Sequence, residues 1–498
     1  MMYQARRNRQ RSLTWTMPAP AVSTPLAHRA RAHPLVDEAE NLHLREYESR
    51  VKASFGRIVP VLRKISSLQH EEDFVARSQE IARQELGIEL PAHVLERAWI
   101  DGLDMRRLFA ASVFEIYHRF CDDFFRSDPL GMDRQREGEF EQFLHECGFH
   151  LMDISPCADG RLAHLVRYVL RLPYRVVRRK SYAGALFDVE DSIQKWVETE
   201  LLRYREGRPN TADMPTRYLK VVAYHFSESD PHHEGCAAHG SNTVKAATAG
   251  IERLYAFQRA IENSFCCGAS ISLLMIGVNT DNDAIRVHVP DPDGQMSVER
   301  FIDVAQIYGA TSGLSPSEAR QNITALIREQ QPAVTEGMAR MIERLVIGNL
   351  SQIDYVRSYH GGGYSDIGHA EQFIGVGIGF EEIQLRNMTY FAYLRTVEEA
   401  ATDVDVGVRI FQRLNTSRGL PIPIVVRFDY HGQVPGARER AIEHCERVSR
   451  ALHERYGELE RRGLLHTLRV IRDCGSGDVI EILGSSLDGP VTIDGSGA

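Results

Sequence analysis

A strand–helix–strand–strand pattern occurs twice in this chain, and it restricts the possible folds more than any other feature. In the first copy Lys220-Val221-Val222-Ala223-Tyr224-His225 is followed by a helix holding Ile251-Glu252-Arg253-Leu254, then by Leu273-Leu274-Met275-Ile276 and Asp283-Ala284-Ile285-Arg286-Val287. In the second, Ile424-Val425-Val426-Arg427-Phe428-Asp429 is followed by a helix holding Cys445-Glu446-Arg447-Val448, then by Leu468-Arg469-Val470-Ile471 and Asp478-Val479-Ile480-Glu481-Ile482. Strands alternating with helices imply a mainly parallel sheet, and the shared order implies two related halves. Val221 to Asp283 spans 62 positions and Val425 to Asp478 spans 53, so the second copy is shorter by nine, chiefly in the loop after its first strand. That loop carries Cys236 in the first copy and no cysteine in the second, and Asp429 takes the place of His225.

The chain of 498 residues is long enough for about three units. Residues 1–36 form a basic tail expected to be disordered: Arg6, Arg7, Arg9, Arg11, Arg29 and Arg31 face no Asp or Glu before Asp37, and the stretch between the clusters is rich in Pro, Ala, Ser and Thr. Residues 37–145 show apolar residues at helical spacing, as in Val59, Leu62 and Ile65 or Val113, Ile116, Tyr117 and Phe120, which predicts an all-helical domain with breaks near Pro91 and at Asp128-Pro129-Leu130-Gly131. Residues 146–385 are expected to form the first α/β unit, with a short strand at Phe149–Ile154 and an amphipathic helix from Gly160 through Leu170. Residues 386–498 are expected to form its degenerate repeat.

Composition excludes several classes. With 59 basic and 68 acidic side chains the net charge is −9, so the chain as a whole is no reader of nucleic acid. No continuous apolar run approaches the ~18 residues needed to span a bilayer; the uncharged stretch from Asn263 to Thr280 is broken by Ser264, Ser270, Ser272 and Asn279. Eight cysteines are too sparse for a disulfide scaffold, and Cys266 and Cys267 are neighbours that cannot easily bridge each other. Tyr359-His360-Gly361-Gly362-Gly363-Tyr364 lacks the Lys and Ser/Thr of a phosphate loop, and Gly375-Val376-Gly377-Ile378-Gly379 reads as a closely packed strand.

The residues that can carry chemistry lie at strand ends. Cys157-Ala158-Asp159-Gly160-Arg161 stands at a strand-to-helix junction, where ligand sites gather in open α/β sheets and where a helix amino end favours a thiolate. His225 ends the next strong strand and Cys236 follows eleven residues later. Two sulfurs and an imidazole make a three-ligand zinc set with a fourth position left for water. Spacing alone leaves open that these are buried core thiols, and that Asp159 and Arg161 are an ordinary charge pair.

The run Cys157-x-Asp159-x-Arg161, with a strand-end histidine and a later cysteine, resembles the zinc site of β-class carbonic anhydrases. The wider stretch from Ala223 to Ser241, with a helical domain before it and a degenerate repeat after it, resembles their divergent carboxysomal shell branch. The resemblance implies an α/β fold with a β-carbonic-anhydrase-like, mainly parallel sheet flanked by helices, an N-terminal all-α domain and a C-terminal repeat without zinc. It also implies one Zn²⁺ per chain on Cys157, His225 and Cys236, with Asp159 and Arg161 as the catalytic dyad. His233-Glu234-Gly235-Cys236 matches the His-x-x-Cys spacing of ordinary members, yet only His225 stands at the end of a central strand. The implied reaction is interconversion of CO₂ and bicarbonate on the inner side of a carboxysome shell, supplying RuBisCO. Implied partners are shell proteins or RuBisCO, and a homodimer or higher homo-oligomer, with no nucleic acid and no membrane; the charge of the tail, apart from the resemblance, suggests a basic arm that docks an acidic partner. No histidine spacing selects a proton shuttle.

Two rival readings remain at this stage: a hydrolase with Cys157 as nucleophile and His225 as base, and a non-catalytic shell or scaffold protein whose zinc is closed off by Asp159 or His233. Deleting residues 1–35 is expected to leave CO₂ exchange intact and to abolish partner binding in a pull-down; loss of exchange would contradict the assignment of the tail.

Overall fold

The computed structural model describes residues 32–127, 134–173, 175–211, 213–265, 270–332, 334–380, 384–392, 401–474 and 480–488. The tail up to Arg31, the Asp128–Gly131 break, Cys266, Cys267, Asp478 and Val479 lie outside them.

Helices come first: α1 Glu38–Gly56, α2 Ile58–Ser67, α3 Phe74–Glu85, α4 Ala92–Glu96, α5 Ala98–Asp101, α6 Met105–Ser127 and α7 Arg134–Glu146. Asp37 starts the series by accepting from the Ala39 and Glu40 N–H groups, two of the donors that a helix start leaves unpaired. Leu62, Ile65, Val113, Ile116, Tyr117 and Phe120, which share a helical period, are buried in one apolar cluster. That cluster does not close on itself, for it continues into Phe373, Val425 and Leu468 of the C-terminal half.

The first sheet is built from β1 Leu151–Pro156, β2 Arg178–Arg179, β3 Arg217–Phe226, β4 Ser270–Asn279, β5 Ile285–His288 and β6 Ile302–Asp303, in the order β2-β1-β3-β4-β5-β6. Strands β2, β1, β3 and β4 are parallel, β5 runs antiparallel to β4, and β6 runs antiparallel to β5. Helices α8 Val189–Arg205, α9 Thr243–Phe265, α10 Val304–Thr311, α11 Pro316–Gln330 and α12 Glu336–His360 accompany it. Central strand β3 is buried almost throughout, as a parallel strand covered on both faces must be. Lys220 of this strand is fully buried and donates to Asp153 Oδ2 (2.9 Å), Ser155 Oγ (2.9 Å) and Ser192 Oγ (3.1 Å), which ties β1, β3 and α8 together.

The second sheet contains β7 Phe373–Ile378, β8 Thr389–Ala392, β9 Ile422–Tyr430, β10 Leu465–Asp473 and β11 Ile480–Ser485, in the order β11-β10-β9-β7-β8, with α13 Ala401–Leu414 and α14 Ala437–Arg461. Here one pair, β10 and β11, is antiparallel and the rest are parallel. Read from its other edge, this sheet repeats β2-β1-β3-β4-β5 strand for strand. The duplication therefore includes two strands more than the sequence pattern revealed. The division expected at 385/386 falls inside the second sheet, because β7 already pairs with β9 from Ile374 onward.

The amphipathic helix expected from Gly160 is replaced by a 3-10 turn, Gly160–Leu162, and one turn of π-helix, Leu165–Val169. Every residue from Gly160 to Leu170 is buried, so the segment has no polar face. It is wedged where three cores meet: Leu165, Val166 and Val169 pack in the first α/β core, Ala163 and Tyr168 join the helical domain's cluster, and neighbouring Ala158 packs in the second α/β core.

Helix α12 backs this wedge at contact distance. A Cβ at Gly348 would come 2.2 Å from the Leu170 carbonyl oxygen, whereas one at Gly309 in α10 meets nothing within 4 Å. Gly348→Ala should cost about 1–3 kcal/mol by overpacking, and Gly309→Ala should stabilise by up to about 1 kcal/mol. Urea unfolding of both variants checks the contrast.

Candidate metal centre

Three strand-end or loop positions converge beside β1 and β3. Cys157 follows β1 directly, and its N–H donates to Ala223 O of β3 (3.0 Å), which continues the ladder to the point where the sulfur turns inward. His225 is the penultimate residue of β3. Cys236 caps the 3-10 turn Ala237–His239, and its carbonyl accepts from His239 and Ser241 N–H, both at 3.0 Å. The two sulfurs lie 3.8 Å apart, and the donor atoms of Cys157, His225 and Cys236 all lie within 4.8 Å of one another.

This group is buried. His225 is fully buried, yet neither ring nitrogen has a hydrogen-bond partner among the described residues. An unsatisfied buried polar group costs about 1–3 kcal/mol, so the ring fits a bound cation better than an empty core. The thiols also press on each other. Contact with Cys236, and burial, push the Cys157 thiol well above its ordinary range. The bond from Cys157 eases ionisation of Cys236 against the opposing effect of burial. Two thiolates and a neutral imidazole suit Zn²⁺, a borderline-soft ion taking sulfur and nitrogen donors.

Asp159 stands beside the group, its Oδ2 3.4 Å from His225 Nε2. Arg161, fully buried, grips it with two parallel bonds, Nε to Oδ1 (2.9 Å) and Nη2 to Oδ2 (2.8 Å), and Arg161 N–H also donates to Oδ1. Burial opposes ionisation of Asp159, but the Arg161 guanidinium, helped by His369 and His225, holds its carboxyl well below the usual carboxylate range. Arg161 is itself held by Nη1 bonds to Glu234 O (2.7 Å), Glu234 Oε2 (3.2 Å) and Ile367 O (3.0 Å). The loop between His225 and Cys236 thus supplies support for the clamp.

The other loop histidines lie elsewhere. His233 is 79% exposed and pairs with Asp230 at 2.8 Å, His232 is exposed, and His239 Nε2 lies 3.2 Å from Gly184 O. Two residues that sequence reasoning passed over do reach the site. His369 Nε2 lies 3.7 Å from Asp159 Oδ2, and Glu371 Oε1 accepts from Gly160 N–H at 3.1 Å. Asp159, His369 and Glu371 form the second group of clustered donors among the described residues. His-Ala-Glu ahead of a glycine-rich strand carries no recognisable spacing; only the approach of β8 to the end of β1, where Phe391 N–H donates to Ala158 O, brings it there.

The matching strand ends of the second half are closed by charge. Arg427 Nε and Nη2 donate to Asp429 at 2.7 and 3.1 Å, Arg472 Nη2 lies 2.9 Å from the same carboxylate, and Arg427 Nη1 donates to the Tyr117 hydroxyl of α6 (3.0 Å). A side chain at Gly379, which follows β7, would collide there: its Cβ would lie 2.8 Å from Asp429 Oδ1.

A doubled, mainly parallel α/β sheet with a sulfur–imidazole–sulfur group and a clamped aspartate beside it is the architecture of the carbonic anhydrase class. Comparison with known proteins narrows this. Models of the carboxysome shell carbonic anhydrase family match residues 33–125 (N-terminal), 139–369 (catalytic domain) and 370–487 (C-terminal). The carboxysome shell carbonic anhydrase of Prochlorococcus marinus strain MIT 9313 is 54% identical over 495 residues, covering 96% of each chain. That of Parasynechococcus marenigrum strain WH8102 is 55% identical over 93% of this chain and 80% of its own. The protein of Halothiobacillus neapolitanus is 45% identical over 93% and 92%. The chain belongs to the carboxysome shell carbonic anhydrase family.

His225→Ala should abolish stoichiometric zinc binding and His233→Ala should preserve it, as measured by metal analysis of the purified proteins. The reverse pattern would move the imidazole ligand into the loop.

Proposed function

We propose that this protein interconverts CO₂ and bicarbonate at the Cys157–His225–Cys236 group, which holds one Zn²⁺, and that Asp159 and Arg161 are its catalytic dyad. The observation that carries the reading is the position of Asp159: ionised, 3.4 Å from His225, and kept from closing on the donor group by the bidentate grip of Arg161. Bound there, Zn²⁺ supplies a Lewis acid that makes water a nucleophile near neutral pH, though two thiolates cancel its formal charge and weaken that effect. The protein must therefore contribute. Asp159 accepts a hydrogen bond from the attacking water and turns its lone pair toward CO₂. Arg161 holds that carboxylate in its ionised form and in place. Burial of Cys157, His225, Asp159 and Arg161 keeps competing solvent away, so these hydrogen bonds act in a low-dielectric pocket.

The rival readings fit less well. A cysteine nucleophile needs a lowered thiol pKa, and that of Cys157 is raised. A closed structural zinc needs a fourth protein ligand, but Asp159 is locked to Arg161 and His233 faces solvent.

The relatives' name places them in the carboxysome shell. We infer the same setting here, on the inner side of the shell, with bicarbonate dehydration supplying CO₂ to RuBisCO. The basic tail, residues 1–36, docks an acidic face of a shell protein or RuBisCO by charge, and the chain assembles as a homodimer or larger homo-oligomer. The C-terminal half holds no metal, since the Arg427–Asp429–Arg472 cluster occupies the corresponding strand ends; it substitutes for the partner fold that a single α/β half would need.

Zinc analysis combined with ¹⁸O exchange between CO₂ and water tests the reading. Wild type should hold one zinc per chain and exchange rapidly. Asp159→Ala should keep its zinc and lose about 10²–10⁴-fold in rate. Zinc-loaded wild type without exchange overturns the proposal.

A further inference from the structure

Cys236 follows His225 by eleven positions, and the loop between them is pinned at both ends. At its start the Asp281 carboxylate accepts from Ser227 Oγ (2.7 Å) and from the Glu228 and Ser229 N–H groups (2.8 and 2.7 Å). At its finish Ser241 donates through Oγ to His233 O (3.1 Å) and through N–H to Cys236 O (3.0 Å). Backbone packs closely there, for a Cβ on Gly235 would lie 2.7 Å from Ser241 O. Between these anchors stands Glu234, whose N–H donates to Asp230 O (3.0 Å).

The Glu234 side chain is 26% exposed, yet it points at the wholly buried Arg161. That guanidinium is gripped on two sides. Nε and Nη2 face Asp159, while Nη1 faces Glu234 O (2.7 Å), Glu234 Oε2 (3.2 Å) and Ile367 O (3.0 Å). Among the described residues, Asp159 and Glu234 are the two carboxylates bonded to Arg161. Gly368 leaves room for the second of them, since a Cβ there would lie 3.1 Å from Glu234 Oε1. A bond between two charged groups is stronger than one to a carbonyl, so Glu234 adds a hold on the far edge that backbone oxygens alone do not supply. Asp159 Oδ2 is 3.4 Å from His225 Nε2. A small rotation of its carboxylate, once Arg161 shifts, carries it into the donor group.

We propose that Glu234 is a positioning residue of the carbonic anhydrase reaction: its carboxylate holds the far edge of Arg161, and Arg161 in turn keeps Asp159 from closing the fourth metal position. The inference rests on the function proposed above. No proton or electron moves in this role. The long gap between the imidazole and the second sulfur thereby has a task, which is to carry a carboxylate to the buried guanidinium.

The test uses the full chain loaded with Co²⁺ in place of Zn²⁺, azide as the probe of the fourth position, and the visible spectrum as the readout. The variants are Glu234→Ala, Glu234→Gln and the double variant Glu234→Ala/Asp159→Ala. Glu228→Ala is the control in the same loop, since Glu228 is exposed and pairs with Arg286 away from the clamp. Metal content is measured first, and each protein is expected to hold one ion per chain. Glu234→Ala should weaken azide binding by at least about 10-fold, the size expected when one bond to a charged group is lost, and should slow CO₂ exchange in its zinc form. Glu234→Gln keeps an acceptor without the charge and should weaken azide binding by about 3-fold. Removing Asp159 as well should restore azide affinity to the wild-type range while exchange stays low, because the closing carboxylate is gone. Glu228→Ala should match wild type. Unchanged azide affinity in Glu234→Ala overturns the proposal. So does a double variant that fails to regain azide binding, or an equal loss in Glu228→Ala, either of which marks a merely structural role. If Glu234→Ala does not fold, Glu234→Gln decides, and unchanged azide affinity there overturns the proposal too. Wild type without an azide response or without exchange would sink the parent function itself, and that failure shows before any variant is compared.

Discussion

The fully buried guanidinium of Arg161 is the constraint on which the site depends. A buried cation is tolerated only when its charge is matched and its donors are filled. Arg161 meets that demand by drawing three separate stretches of chain together: Asp159 from its own turn, Glu234 from the loop before Cys236, and Ile367 O from the approach to β7. Each is held in place by the same group that requires it. The aspartate beside the sulfur–imidazole–sulfur group is thereby held in a buried pocket with its carboxyl well below the usual carboxylate range.

The two halves show what happens when one copy of a fold loses its donors. At the strand ends of the first half, two sulfurs and an imidazole form a buried group whose ring nitrogens have no hydrogen-bond partner among the described residues. In the second half the same place holds Asp429 between Arg427 and Arg472, with bare Gly379 making room, so the charge is balanced internally. The helical domain then seals that closed end through Tyr117 on Arg427 and through the apolar cluster it shares with β7, β9 and β10. The N-terminal domain also packs on the first half, where Tyr355 of α12 donates to Glu48 of α1 and Arg171 donates to Asn41.

The first half is not self-sufficient. Phe391 N–H bonds Ala158 O, Asn387 N–H bonds Gly160 O, and Glu371 bonds Gly160 N–H, so the turn carrying Asp159 is fixed largely by residues of the C-terminal half. Residues of the C-terminal half thus form part of the site's wall.

What the sequence alone determined was whatever has a local period or a local motif. The helical run before residue 146 is legible from apolar spacing, the strands at Arg217–Phe226 and Ile422–Tyr430 from their β-branched, mainly apolar centres, and Cys157, Asp159, Arg161, His225 and Cys236 from their places at strand ends and from family resemblance. Only the tertiary structure decided the rest. Gly160–Leu170 has the apolar content of a helix but lies at a junction of three cores, where packing from every side overrides helical periodicity. Lys220 reads as an interruption in a buried strand until Asp153 appears opposite it. Strand β7 was separable from the first half only by its pairing with β9. His369 and Glu371 are more than 130 positions from His225, and their membership of the site depends on which sheet edges meet. Local physics fixes what a segment tends to form; which distant segments share a dry pocket is settled by how the sheets pack.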